Sequence, residues 1–158
     1  MGSWSKLLTL SYREKQLLAA SLVVLPINGL ALRLLSLSRW RSVLSRLTPA
    51  GQGSEVRQLR SDSSRFDSVR QTARMVRVAA ARGPYRGNCL QQSLTLWWLL
   101  SRQKIHSDIR FGARRDGGTF EAHAWVEFEG IALNERPDIH HRFKPFEPSV
   151  ALAEAKTR

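Results

Sequence analysis

The sequence is poor in cysteine, because Cys89 is the only one among 158 residues. A single cysteine excludes an internal disulfide, so the fold does not need an oxidising compartment. It also excludes the paired cysteines of a structural zinc site. We therefore ask whether this thiol is a small buried hydrophobic group or a reactive one.

The chain is also short of acidic residues, with 13 Asp and Glu against 25 Lys and Arg and a formal net charge of +12. A surface of this sign attracts polyanions or acidic protein partners. However, the basic residues are scattered, and the sequence has neither a lysine-rich tail nor an aromatic RNA-binding strand. We therefore expect no nucleic-acid function and favour an acidic protein partner.

One long apolar run is present, Leu17–Leu37, and its uncharged part, Leu17–Leu32, is 16 residues long. A membrane span needs about 20 apolar residues. Glu14 and the absence of a small-residue cleavage site argue against a signal peptide. We predict a cytoplasmic protein whose apolar run forms a hairpin of two helices that meet near Pro26–Gly29.

A turn-rich connector, Thr48–Glu55, predicts a boundary between an N-terminal helical part, residues 1–48, and a core, residues 55–158. Within the core, apolar residues at three- and four-residue spacing predict a helix over about Ser64–Arg82. A second helix begins at Cys89, and its nearly continuous apolar surface predicts that it is buried.

The apolar pattern alternates after this second helix and predicts three short antiparallel strands in a meander. The tail from Pro137 has no clear period, and we predict an ordered loop that ends in a short frayed helix. The fold class is therefore α+β, with a helical region before the sheet.

The position of Cys89 favours reactivity. The first turn of a helix has unpaired N–H groups and the positive end of the helix dipole, which stabilise a thiolate. Asn88 is a suitable N-cap, and Gly87 allows a substrate to approach the backbone closely.

A histidine further along the chain supplies a candidate base. His123 lies in the strand sequence EAHAWVEF, where alternation puts His123, Trp125 and Glu127 on one face. A histidine in a strand is more often structural than catalytic. A single cysteine followed by one histidine of this kind is nevertheless the pattern of a nucleophile and a base that meet in space.

The third member of a triad depends on the register of the next hairpin. A three-residue loop, Phe128–Gly130, would place Glu135 opposite His123. A two-residue turn would shift the pairing by one and place Asn134 on the face of His123 instead. Turn chemistry favours Glu135, and Asn134 is the alternative.

The segments GNCLQQSLTLWWLLSRQKI and RFGARRDGGTFEAHAWVEFEGIALNE resemble the lasso-peptide B2 proteins, the transglutaminase-like cysteine proteases that remove leader peptides. The resemblance covers about Tyr85–Glu135. It implies a papain/transglutaminase-like core, with a nucleophile helix packed on a small antiparallel sheet. The family's acid, usually aspartate, stands twelve positions after the histidine, where this chain has Glu135.

The resemblance implies acyl transfer by Cys89, His123 and Glu135, without a metal or cofactor. Gln91, Gln92 and Tyr85 are candidate oxyanion or substrate ligands. The implied partners are a precursor peptide, a separate leader-recognition protein and the lasso cyclase, since 158 residues leave no room for a fused recognition domain. We expect the N-terminal hairpin to contact that recognition protein or the leader.

The sequence also allows three other interpretations, of which only the first uses the same residues. One is transglutaminase-like amide transfer. Another is a metal site formed by Cys89, His123, His140 and His141, although their spacing matches no zinc pattern. The third is a non-catalytic adaptor that binds a leader or a membrane through its basic helices.

Overall fold

The computed structural model describes residues 10–47, 62–116, 118–136 and 138–146. These residues form five helices and one small antiparallel sheet, which agrees with the predicted α+β class. The helices are α1 (Tyr12–Leu34), α2 (Leu37–Arg46), α3 (Asp62–Arg82), α4 (Cys89–Arg102) and α5 (Ile139–Arg142). The strands are β1 (Asp108–Asp116), β2 (Thr119–Phe128), β3 (Ile131–Ala132) and β4 (Lys144–Pro145). The predicted connector, Thr48–Glu55, lies outside the described residues.

The predicted hairpin near Pro26 is wrong, because α1 continues through the proline to Leu34. The chain turns at Leu35 instead and then enters α2. A proline inside a helix removes one backbone hydrogen bond and crowds the preceding turn. Burial of the α1 face that includes Val24 and Leu25 offsets this cost. Tertiary packing therefore keeps α1 continuous at a residue that favours a break.

By length and composition alone, α1 could cross a membrane. Core helices of soluble proteins and signal sequences meet the same criteria, and 39% of the apolar window in α1 is buried inside the protein. The helix therefore carries little information about location, and a cytoplasmic location stays a prediction.

A buried chain of polar side chains joins three helices. Asn28 of α1 is fully buried and accepts a 2.7 Å hydrogen bond from Trp40 Nε1 of α2. Its Nδ2 donates a 2.8 Å hydrogen bond to Thr95 Oγ1 of α4. Because these groups lie in the core, each needs its partner. Asn28 thus fixes how α1, α2 and α4 pack together.

The central helix α4 begins at Cys89, as predicted, and most of its remaining length is buried. It packs against α1, α3 and the sheet. The apolar core around it includes Leu94, Leu96, Leu100, Val69, Val126 and Phe128. Burial on several sides holds the helix, and therefore Cys89 at its start, in one orientation.

The sheet has the strand order β3-β2-β1-β4. The predicted three-stranded meander is present, but the prediction missed β4, which pairs with β1 beside Gly112. A Cβ atom at residue 112 would lie 2.9 Å from Trp125 Cη2 and 3.0 Å from Lys144 O. Glycine therefore allows both β4 and the Trp125 ring to approach β1. A two-residue strand has no periodicity that a sequence reading could detect.

We predict that Asn28→Ala lowers the free energy of unfolding by about 1–3 kcal/mol, because Trp40 Nε1 loses its buried acceptor. Urea denaturation followed by tryptophan fluorescence measures this change. Gln16→Ala, on an exposed part of the same helix, is the matched control and stays within about 0.5 kcal/mol. Equal stability of the two variants would contradict the proposed role of Asn28.

Candidate active site

Cys89 is half-buried in the first turn of α4, next to a well-formed helix cap. Asn88 Oδ1 accepts a hydrogen bond from Gln91 N, and Gln91 Oε1 accepts one from Asn88 N, both at 3.0 Å. This reciprocal pair satisfies two backbone groups at the start of the helix. The thiol therefore lies at a rigid helix N-terminus, where the helix dipole favours negative charge.

The three candidate oxyanion or substrate residues all stabilise the loop before Cys89. Tyr85 donates a 3.2 Å hydrogen bond from its hydroxyl to Gln91 Oε1. Gln92 Nε2 donates a 2.7 Å hydrogen bond to the carbonyl of Gly87. In the structure, Tyr85, Gln91 and Gln92 therefore stabilise the loop and the start of α4. Their contact with an oxyanion or substrate stays a prediction.

Helix α1 packs against this loop. A Cβ atom at Gly29 would overlap the Tyr85 hydroxyl, and one at Gly87 would lie 2.9 Å from Leu25 Cδ2. The Tyr85 side chain therefore packs on the α1 backbone at Gly29, and the Leu25 side chain packs on the loop backbone at Gly87. The N-terminal helix α1 therefore helps to hold the loop that precedes Cys89.

His123 lies on β2 with 22% of its side chain exposed, and its Nε2 is 2.7 Å from Glu135 Oε1. Its Nδ1 has no hydrogen-bond partner among the residues that the structure describes. The imidazole stacks on Phe143, with 5.1 Å between the ring centroids. One nitrogen is thus held by a carboxylate, and the other is available for a reacting group.

The hairpin register differs from the predicted one. Residues 129 and 130 form a two-residue turn, which pairs Phe128 with Ile131 and Glu127 with Ala132. Both turn residues have positive φ, 50° at Glu129 and 78° at Gly130, as this tight turn requires. The predicted three-residue loop is therefore wrong. If this register continued, Asn134 would lie on the same face of the sheet as His123.

Beyond Ala132 the ladder keeps one backbone hydrogen bond, from Leu133 N to Val126 O at 2.9 Å, and the side chain of Asn134 takes the place of the second. Asn134 Oδ1 accepts a 2.8 Å hydrogen bond from Val126 N, and Asn134 Nδ2 donates a 3.1 Å bond to Ser93 Oγ. The chain bends after Ala132, and Glu135 reaches His123 without strand pairing. Asn134 itself makes no contact with His123 among the described hydrogen bonds.

Ser93 connects the Cys89 helix to the His123 strand. Its hydroxyl donates a 3.0 Å hydrogen bond to the carbonyl of Ala124, the residue next to His123. Cys89 lies four residues before Ser93 on the same helix, a rise of about 6 Å. The first half of α4, which begins with Cys89, is therefore joined to β2 next to His123. Sequence reasoning missed Ser93, because a serine inside an apolar helix has no local signal for this role.

A second charged network supports the same face of β2. Glu127 is buried and accepts hydrogen bonds from Trp125 Nε1 at 2.8 Å and Arg110 Nε at 2.9 Å. His140 Nε2 lies 3.4 Å from the same carboxylate. The sequence placed Glu127 on the face of His123, but these partners depend on the tertiary fold. This network holds Trp125 against the sheet next to His123.

Basic and aromatic groups surround the histidine. The guanidinium of Arg114 lies 5.2 Å from the centroid of Phe143, the ring that stacks on His123. Arg114 also hydrogen-bonds Glu121, and this bond holds the pKa of the Glu121 carboxyl below its usual value. Sequence reasoning did not identify Phe143, which lies in a tail without periodicity. Among the described residues, no group of three or more His, Cys, Asp or Glu side chains could hold a metal ion.

Comparison with known proteins gives one match. The sequence profile described as the transglutaminase-like superfamily matches residues 31–147, which is more than half of the chain. The matched region begins within α1 and includes the candidate site. No curated protein and no solved structure matches the chain.

We predict that Asn134→Ala lowers the free energy of unfolding by about 1–3 kcal/mol, because Val126 N–H loses its acceptor. Asn134→Asp retains an acceptor oxygen for Val126 and is the matched control, with a smaller loss of stability. Urea denaturation measures both variants. A larger loss for the aspartate variant would contradict the assignment of Oδ1 to Val126.

Proposed function

Because the chain belongs to the transglutaminase-like superfamily, we propose that it is a cysteine peptidase that removes the leader from a lasso-peptide precursor. The observation that carries this proposal is the pairing of His123 Nε2 with Glu135, and a second one supports it: the helix that begins with Cys89 is hydrogen-bonded through Ser93 to Ala124, the residue next to His123. This arrangement supplies a nucleophile, a base and an orienting acid for acyl transfer. The superfamily alone supports the coarser statement of a fold used by cysteine proteases and acyltransferases.

The reaction begins at the thiol. The Cys89 thiolate attacks the carbonyl carbon of the peptide bond between leader and core. The resulting oxyanion accepts hydrogen bonds from N–H groups at the start of α4, including that of Cys89. The intermediate collapses to a thioester as His123 gives its proton to the departing amine of the core peptide.

The second half releases the leader. His123 takes a proton from a water molecule, and the hydroxide attacks the thioester carbonyl. The carbon–sulfur bond breaks, the leader leaves as a carboxylic acid and the thiol returns. The freed amine of the core peptide is then the nucleophile that a lasso cyclase would join to a side-chain carboxylate.

Glu135 is the orienting residue in this scheme. In the proposed scheme its carboxylate accepts a hydrogen bond from the protonated Nε2 of His123, which leaves Nδ1 as the nitrogen that exchanges a proton with Cys89. The resembled family usually has aspartate here, and glutamate is one methylene longer. The bend after Ala132 moves residue 135 out of the strand ladder, so the longer side chain is the one that meets the imidazole in this fold.

The proposed enzyme works with a separate leader-recognition protein. An exposed apolar stripe on α1 supports this part of the proposal, since its residues recur at helical spacing and are 46–74% exposed. The stripe comprises Val23, Ile27, Leu30 and Leu34. Exposed apolar surface with regular spacing is typical of a docking face for another protein.

We predict that Cys89→Ala abolishes leader removal and that His123→Ala reduces its rate by about 10²–10⁴-fold, the usual contribution of a general acid–base group. The assay mixes the protein with a lasso precursor and a leader-binding protein and identifies the products by mass. His106→Ala, at a histidine whose side chain is 79% exposed, is the matched control and retains activity. Cleavage by Cys89→Ala would refute the peptidase.

The same assay separates hydrolysis from transglutaminase-like amide transfer. With an added primary amine, a hydrolase yields the leader as a free acid, whereas an amide-transfer enzyme yields the leader joined to the amine. The two products differ in mass. Predominance of the amine adduct would replace the peptidase proposal with acyl transfer by the same residues.

We predict that Glu135→Gln lowers kcat more than Asn134→Ala does, by at least about tenfold, because a neutral amide no longer stabilises the imidazolium. Glu135→Asp, which keeps the charge, retains more activity than Glu135→Gln. Initial rates at saturating precursor measure kcat, and circular dichroism checks that each variant is folded. A greater loss in Asn134→Ala would assign the orienting role to residue 134.

A further inference from the structure

A groove of about 220 Å³ lies between α3 and the β3 segment. Its floor is apolar, with Phe66 and the buried Val69 and Ala73 contributed by α3. Such a floor accepts an apolar side chain, since burial removes apolar surface from water. The proposed catalytic mechanism does not use this groove.

The opposite wall is the edge of the sheet. The consecutive residues Ile131, Ala132 and Leu133 all line the groove. Ile131 and Ala132 are successive strand residues that point to opposite faces, so both can line one groove only along the edge of β3, and Leu133 follows in the bend. In the described sheet, β3 is an outermost strand and pairs only with β2. Edge strands have unpaired N–H and C=O groups that an extended peptide can pair with.

Two arginines of α3 give the groove its charge. Arg70 and Arg77 line it, and neither forms an ion pair with a carboxylate of the described residues. Arg77 donates only a long hydrogen bond of 3.4 Å, to Leu133 O. The two residues are seven positions apart, about 10 Å along the helix. An extended peptide covers that length in about three residues.

The groove leads towards the candidate active site. Leu133 ends the groove, Asn134 bonds to the Cys89 helix through Ser93, and Glu135 contacts His123. Two residues of extended chain span at most about 7 Å. A peptide lying along β3 would therefore reach the reacting groups within a few residues.

We propose that this groove binds an extended segment of the substrate peptide in which an apolar side chain is flanked by carboxylates. The segment pairs with the outer edge of β3, its apolar side chain contacts Phe66 and Ala73, and its carboxylates contact Arg70 and Arg77. This inference rests on the proposed peptidase and deepens it, because it names the chemistry that the enzyme recognises near the cut.

The test measures binding in a Cys89→Ala background, which prevents turnover. The probe is a short fluorescein-labelled peptide of alternating glutamate and leucine, followed by fluorescence anisotropy at low and physiological salt. Arg77→Glu weakens its binding by about tenfold or more. Arg115→Glu changes the net charge equally at an exposed position outside the groove, and it weakens binding by less than about twofold. Thermal denaturation establishes that both variants are folded.

Further peptides and one more variant make the outcome decisive. A second peptide, in which lysine replaces glutamate, binds the Arg77→Glu variant better than it binds the protein that keeps Arg77. A third peptide, in which serine replaces leucine, tests the need for an apolar side chain and binds weakly. Ile131→Gln, at a side chain that is 51% exposed, weakens the glutamate–leucine peptide without loss of stability. Equal weakening by Arg77→Glu and Arg115→Glu, or no binding at all, would overturn the inference.

The failure of this inference differs from failure of the proposed function. Cys89-dependent cleavage of a precursor without groove binding would refute the groove and leave the peptidase intact. Groove binding by a protein that does not cleave any precursor would refute the peptidase. The groove would then not recognise a substrate near a cleaved bond.

Discussion

The candidate site depends on one small polar bridge in which Ser93 and Asn134 tie the central helix to the edge of β2. In this bridge the Asn134 side chain accepts the Val126 N–H hydrogen bond that a regular strand pair would give to a backbone carbonyl. Two results follow from this replacement. The first half of α4 is fixed beside the strand that carries His123, and the chain after β3 leaves the ladder so that Glu135 meets the imidazole. The pairing of His123 with Glu135 thus arises where the sheet stops being regular.

The N-terminal helix supports the site from the other side. Asn28 bonds to Thr95 in the middle of α4, and Gly29 allows Tyr85 to pack on the helix. The apolar run that was predicted to bend at Pro26 is therefore one continuous helix with two different faces. One face packs against the loop before Cys89, and the other presents the exposed apolar stripe. Both faces belong to the helix that supports the loop before Cys89.

Local signals in the sequence predicted some of this correctly. The start of α4 at Cys89 follows from the Asn88 cap and the apolar run, and alternation identified the face of His123. Features that depend on tertiary contacts were missed or wrong. Tertiary packing keeps α1 helical at Pro26. The residues around Glu129 fit a two-residue turn and a three-residue loop alike, and the fold adopts the two-residue turn. Glu135 was chosen through a register that the fold does not have, and it reaches His123 by the bend after Ala132.

The stacking of Phe143 on His123 sets an order in time. The thiol at residue 89 is synthesised well before the ring that stacks on His123. At about 5–20 residues per second, the segment between them takes roughly 3–11 s to be made. His123 itself is made within that interval, and Phe143 follows it by 20 residues. The surroundings of His123 are therefore completed only after the helix that begins with Cys89 has been synthesised.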